Sequence, residues 1–182
     1  MMNFRRLYNR VFTSTYAYYS PKYRPAINEK SPKIALAFHY LIREIGIEST
    51  PICFLKPIRQ PKDVALYGMT LVKGHVVVDP RFDLSKNIET LSHELWHTKQ
   101  IIDGDLEYVF GDYGNYEGLR WKGVFYEKTS KLFLDAKSMD RYHELPWEID
   151  AYANESRLFS MSMDYIASID KKTYQERLTY HR

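Results

Sequence analysis

The chain has one cysteine in 182 residues, Cys53, so it cannot form a disulfide within itself. That thiol lies in the apolar run Pro51-Ile52-Cys53-Phe54-Leu55, the setting of a buried, inert side chain, and fits a reducing compartment. No apolar run approaches the roughly 18 residues that a membrane-spanning helix needs. Residues 1–10 are polar and basic, with no apolar stretch behind them of the kind a signal peptide carries. No membrane partner is expected, and the expected location is cytoplasmic. Glycine and proline are sparse, eight of each, and no repeat or low-complexity segment is visible, which excludes collagen-like and repeat architectures. With 45% hydrophobic and 27% charged residues the composition is that of a folded globular chain, and the length suits one domain. A net charge of +3 decides nothing about partners.

One further absence is local. There is no acidic residue before Glu29, while Arg5, Arg6, Arg10, Lys22 and Arg24 alternate with Phe4, Tyr8, Phe12, Tyr16, Tyr18, Tyr19 and Tyr23. Residues 1–30 read as a basic aromatic arm, broken by Pro21 and Pro25 into a second half that is expected to run extended, with residues 31–182 forming the folded domain. Such an arm can stack on single-stranded nucleic acid. Packing of its tyrosines on the body of the same or a neighbouring subunit explains it as well, and nucleic acid is not the expected partner.

Ser31-Pro32 reads as a helix start, and residues 33–45 carry a broad apolar face that Gly46 ends. His39 within it has no partner at ligand spacing. Residues 64–70 and 75–79 read as a β-hairpin turning at Lys73-Gly74, with His75 facing solvent. Residues 87–103 read as a second helix stopped by Gly104. Residues 104–118 read as a long functional loop, residues 119–126 as a strand, and residues 146–170 as a last helix opened by Pro146. The class is α+β: a small single domain in which a short hairpin or sheet packs on two helices.

The second helix contains Leu91-Ser92-His93-Glu94-Leu95-Trp96-His97. On a helix, residues i and i+4 share a face, so His93 and His97 can reach one zinc ion while Glu94, beside the first ligand, is placed to act on water as a general base. At 100° per residue Ile88, Leu91, Leu95 and Ile102 form one stripe and the two histidines lie opposite it. Trp96 and Ile101 flank the histidines, which implies a further layer of protein over that face.

A catalytic zinc needs a third protein ligand and an open position. Asp103 stands where a His-Glu-x-x-His-x-x-Gly-x-x-His/Asp pattern would use it, but Gln100 replaces the glycine, and on a continuing helix Asp103 projects about 120° away from His97. Glu148 is the better candidate, held in the first turn of the last helix with small Ala151 permitting close approach; Asp150 is its rival.

The order hairpin, His-Glu-x-x-His helix, glutamate-bearing helix resembles the gluzincin zinc metallopeptidases, whose third ligand is the Glu of a Glu-x-x-Ala-Asp-like signature. Thr90-Leu91-Ser92-His93-Glu94-Leu95-Trp96-His97 with Gln100, Trp121-Lys122-Gly123 and Pro146-Trp147-Glu148-Ile149-Asp150-Ala151-Tyr152 are more closely similar to the minigluzincin-like proteins of bacteriophage genomes, over about half the chain. The resemblance implies a zincin-like fold, a zinc held by His93, His97 and Glu148, Glu94 as general base, a peptide or protein substrate, and a location in the host cytoplasm or virion. Tyr152 stands where the family often has Asp or Asn, so the carboxylate that orients a ligand histidine would come from Asp150 or Glu155. His143, Tyr142 and Tyr152 are the candidate oxyanion donors. The hairpin ending at Asp79 would supply the edge strand for an extended peptide. An alternative of another class is a structural or assembly component of a phage particle, keeping the zincin fold and docking on neighbouring subunits through residues 1–28.

Overall fold

The computed structural model describes residues 24–48, 51–58, 65–127 and 142–180. Residues 1–23 of the arm, the start of the expected first strand and residues 128–141 lie outside the described residues. What is described is α+β, three helices and two three-stranded sheets.

Helix α1, Arg24–Glu44, starts seven residues before the expected boundary and carries Pro32 inside it. The proline sacrifices one backbone hydrogen bond without ending the helix. The division at residue 30 therefore falls within a helix, and residues 24–30 are helical rather than extended. Gly46, at φ +70°, supplies the left-handed residue that ends such helices. His39 is exposed.

The first sheet has the order β1, β3, β2, from β1 (Cys53–Leu55), β2 (Gly68–Thr70) and β3 (Val76–Val78). The expected hairpin is β2 and β3, turning through Gly74 at φ +74°. The strand before Asp79 is nevertheless the middle one, because β1 pairs with it in parallel. Among the described residues the edge next to the helix carrying the histidines is β2. His75 is half-buried rather than solvent-facing, and its Nδ1 accepts the Ile52 N–H at 3.2 Å. Cys53 is partly buried, packed against the core, and burial pushes its thiol up to about 12.

Helix α2, Leu84–Ile102, begins three residues earlier than expected because Asp83 caps it, accepting the Lys86 N–H at 2.8 Å. Residues 104–118 are not a loop. They form β4 (Leu106–Phe110), a short 3-10 turn and the start of β5 (Tyr116–Trp121). Nor is the expected strand over 119–126 continuous: it turns at Lys122-Gly123 into β6 (Val124–Glu127). Both turn residues have positive φ, 46° and 85°, as a two-residue type I′ hairpin requires. Helix α3 runs from Pro146 to Tyr180.

Two apolar clusters result among the described residues. Ile34, Leu41, Val76, Val78, Ile88, Leu91, Leu95 and Leu158 join α1, the first sheet, α2 and α3. Leu106, Leu119, Trp121 and Trp147 join the second sheet to the start of α3. Ile102, assigned to the apolar stripe by phase, ends α2 and stays 39% exposed.

Candidate metal centre

The layer expected over the histidine face of α2 is α3, and Ala151, fully buried between them, lets the two helices close. Glu148 in the first turn of α3 is 1% exposed and meets both imidazoles. Its Oε2 lies 3.2 Å from His93 Nε2, its Oε1 lies 3.3 Å from His97 Nε2, and the two Nε2 atoms are 3.1 Å apart. His93, His97 and Glu148 thus form the group that could hold a metal ion among the described residues.

The other ring nitrogens decide whether these donors suit a cation. His93 Nδ1 is 2.9 Å from Glu155 Oε2, an acceptor when ionised, so Nδ1 carries hydrogen. Glu155 follows Glu148 by seven residues, two helical turns, and shares its face. His97 Nδ1 is 2.8 Å from Gln100 Oε1. The orientation of that amide is fixed, since its nitrogen donates to Trp147 O at 2.9 Å and to Asp150 Oδ2 at 2.8 Å. Asp150 Oδ2 also takes the Trp96 indole N–H at 2.6 Å. Each imidazole therefore donates through Nδ1 and turns Nε2 toward its twin and a carboxylate. Two ring nitrogens with lone pairs at this separation repel unless a proton or a metal ion lies between them, so the donor set fits a cation.

The electrostatics agree. Burial lowers the His93 imidazole, but hydrogen bonds to Glu148 and Glu155 and the charge of Glu94 outweigh it and raise it to about 10. His97 rises against the same burial penalty through Glu148 and Glu94. Burial works against ionised Glu148, yet the hydrogen bonds from both histidines hold its carboxyl well below the usual range.

The remaining candidates fall into place around this group. Asp150 lies outside the three-residue group: its Oδ2 accepts from the Gln100 amide whose oxygen meets His97 Nδ1, while Glu155 meets His93 Nδ1, so each of the two carboxylates connects to one histidine. Asp103 caps the end of α2, is exposed and pairs with Lys99 at 2.7 Å, away from the group. The Tyr142 hydroxyl is raised well above its ordinary value by burial, by the charge of Glu148 and by a hydrogen bond to it. The Tyr152 ring rests on His93 with centroids 4.6 Å apart, and His143, exposed, rests on Tyr152 at 5.0 Å.

Glu94 is half-buried and outside the three-donor group. Its Oε2 accepts the Thr70 hydroxyl at 2.7 Å. Thr70 was not among the expected site residues, because it reaches the helix only through sheet packing and leaves no local signal in the sequence. Gln100, which stands in place of a glycine in one motif and among the residues of the resemblance in the other, is the neighbour of His97 because it lies three residues beyond it on a helix.

Compared with protein-family models, with curated proteins and with solved structures, the chain gives no significant match in any of the three.

Proposed function

We propose that the chain is a zinc-dependent metallopeptidase that hydrolyses peptide bonds with Glu94 as general base. The observation that carries this reading is a three-donor group of two imidazoles and one carboxylate, with a second carboxylate, Glu94, beside it that is held by a hydroxyl instead of joining the group. Zinc–nitrogen bonds of 2.0–2.1 Å at tetrahedral angles put ligand atoms about 3.3 Å apart. The two Nε2 atoms, 3.1 Å apart, match that spacing, each has one Glu148 oxygen beside it at 3.2 or 3.3 Å, and two imidazoles with one carboxylate leave a position for substrate.

When bound, zinc polarises a scissile carbonyl and lowers the pKa of water at the site. Glu94 takes the proton of the attacking water on a carboxylate oxygen and delivers it to the leaving amine. Tyr152, whose ring rests on His93, is the hydroxyl donor for the developing oxyanion, since Tyr142 gives its proton to Glu148. An extended peptide lies along β2. Its backbone bonds to β3 run through Tyr67, Met69 and Leu71, so Gly68 and Thr70 turn their backbone groups outward.

The test is a peptide-library digest with zinc-loaded wild type beside Glu94→Gln. The variant is expected to keep one zinc per chain and lose cleavage; loss of zinc would put Glu94 among the ligands and end this mechanism. A wild type that binds zinc and cleaves nothing would favour the structural alternative, in which the basic aromatic residues 1–28 dock on neighbouring subunits of a phage particle.

A further inference from the structure

We propose that Thr70 is the positioning residue of Glu94, fixing which carboxylate oxygen faces the reacting water; this rests on the reading of Glu94 as the base. Thr70 Oγ1 lies 2.7 Å from two atoms of that one residue, the main-chain oxygen and Oε2. A hydroxyl has one proton to give. The Glu94 carbonyl, as a mid-helix carbonyl, already receives the amide of the residue four ahead, and the Thr98 hydroxyl, shared with Gly74 O at 2.9 Å, stands 3.1 Å from it. The Thr70 proton therefore goes to the carboxylate, where a charged acceptor makes the stronger bond. Oε2 is thereby occupied, and Oε1, with no partner among the described residues, is the oxygen that serves the water.

The strand is shaped for this. Gly68, two residues earlier on the same face, has no side chain to hold β2 off the helix; a Cβ there would fall 2.4 Å from Thr90 Cγ2 and 3.3 Å from Glu94 Cγ. The close approach brings a side chain as short as threonine within reach of the carboxylate. Its branched Cβ restricts χ1, so the hydroxyl keeps its aim. The strand is pinned at the same residue, for Tyr108 Oη donates to Thr70 O at 3.3 Å from the second sheet. A glutamate has three side-chain torsions, and a base displaced by about 1 Å can lose about a hundredfold in rate.

The experiment compares zinc-loaded full-length wild type, Thr70→Val and Thr70→Ser, with Thr70→Ala replacing the valine variant should that not fold. Zinc content, the carboxyl-carbon NMR resonance of Glu94 (assigned with Glu94→Gln) and the kinetics on a peptide cut from the library are measured for each. Thr70→Val should keep one zinc per chain, shift the Glu94 resonance and lower kcat about 10- to 100-fold at unchanged KM. Thr70→Ser should restore resonance and rate. A Glu94 resonance unmoved in Thr70→Val, or a folded serine variant that restores nothing, overturns the proposal. If wild type cuts no peptide, the peptidase reading fails by itself, and the resonance still decides whether Thr70 fixes Glu94.

Discussion

On one side of α2, Ile88, Leu91 and Leu95 are buried among side chains of α1, β3 and α3; on the other, His93, His97 and Gln100 are packed among hydrogen-bonding groups of α3. Dispersion and water exclusion have no direction, so the first face needs only the right volume. The second works through donors and acceptors matched one to one. Among the described residues no buried side-chain polar atom lacks a partner, and removing any one member strands another in a low-dielectric interior. The apolar face sets where the helix sits, and the polar face sets where two nitrogen lone pairs point.

Lesions on the two faces should therefore separate. The largest effect is expected from Glu148→Ala, which removes a donor outright. Zinc affinity by titration calorimetry should fall by more than about 100-fold, since even outer partners of ligands are worth about 10- to 100-fold. Asp103→Ala, at the exposed end of α2, should leave affinity unchanged. The reverse pattern would overturn the ligand set.

On the apolar face Leu95→Ala should cost about 3 kcal/mol by chemical denaturation, in the range for a fully buried leucine, and the folded fraction should still take one zinc. Leu95→Met should cost less than about 1.5 kcal/mol, because volume is nearly kept. A leucine lesion that abolished zinc in folded protein would show that the faces are not independent.

A smaller effect is expected one hydrogen bond out from the three-donor group. Gln100→Leu frees His97 Nδ1 and leaves the Asp150 carboxylate with the Trp96 indole N–H but without the amide, so zinc should bind about 10- to 100-fold more weakly while the helices stay packed. Unchanged affinity would mean that the Asp150, Gln100 and His97 chain does not set the imidazole.

The two faces also differ in how much of them the sequence discloses. Histidines four apart on a helix, a glutamate in the first turn of another and Ala151 beside it form a local code, and the structure brings together His93, His97 and Glu148. Parallel pairing of β1 with β3 has no local signal, since three apolar residues around Cys53 read equally as buried chain. β4 was hidden by the turn residues Gly111, Asp112, Gly114 and Asn115, whose composition outweighed the strand residues Leu106, Tyr108 and Val109. The helix boundary at Pro32 failed because proline's preference for a first turn is statistical, and tertiary packing overrides it. Thr70 is the clearest case: only the register of β2 against α2 makes it a partner of Glu94.

The gentlest expected effect distinguishes the faces by pH. In chelator-treated protein His93 is raised from 6.5 to about 10, where burial, which lowers it, is outweighed by Glu148, Glu155 and Glu94. A raised histidine contributes stability that is complete below its unfolded value and lost as pH climbs through the folded one. Glu148 is lowered from 4.5, since its histidine hydrogen bonds outweigh the opposing burial; its contribution is complete above that value and lost only in stronger acid. Both act fully between about pH 4.5 and 6.5, so the chelated protein should melt highest there and a few degrees lower by pH 9. Zinc requires both Nε2 atoms unprotonated, so its affinity rises over the same interval as protons leave. The gap between melting temperatures with zinc and with chelator should consequently widen from pH 6 to 9, while Leu95→Met should leave that widening unaltered. A gap that stays constant would mean that the imidazoles and Glu148 are not held as charge partners, and that the polar face is ordered by something other than its hydrogen bonds.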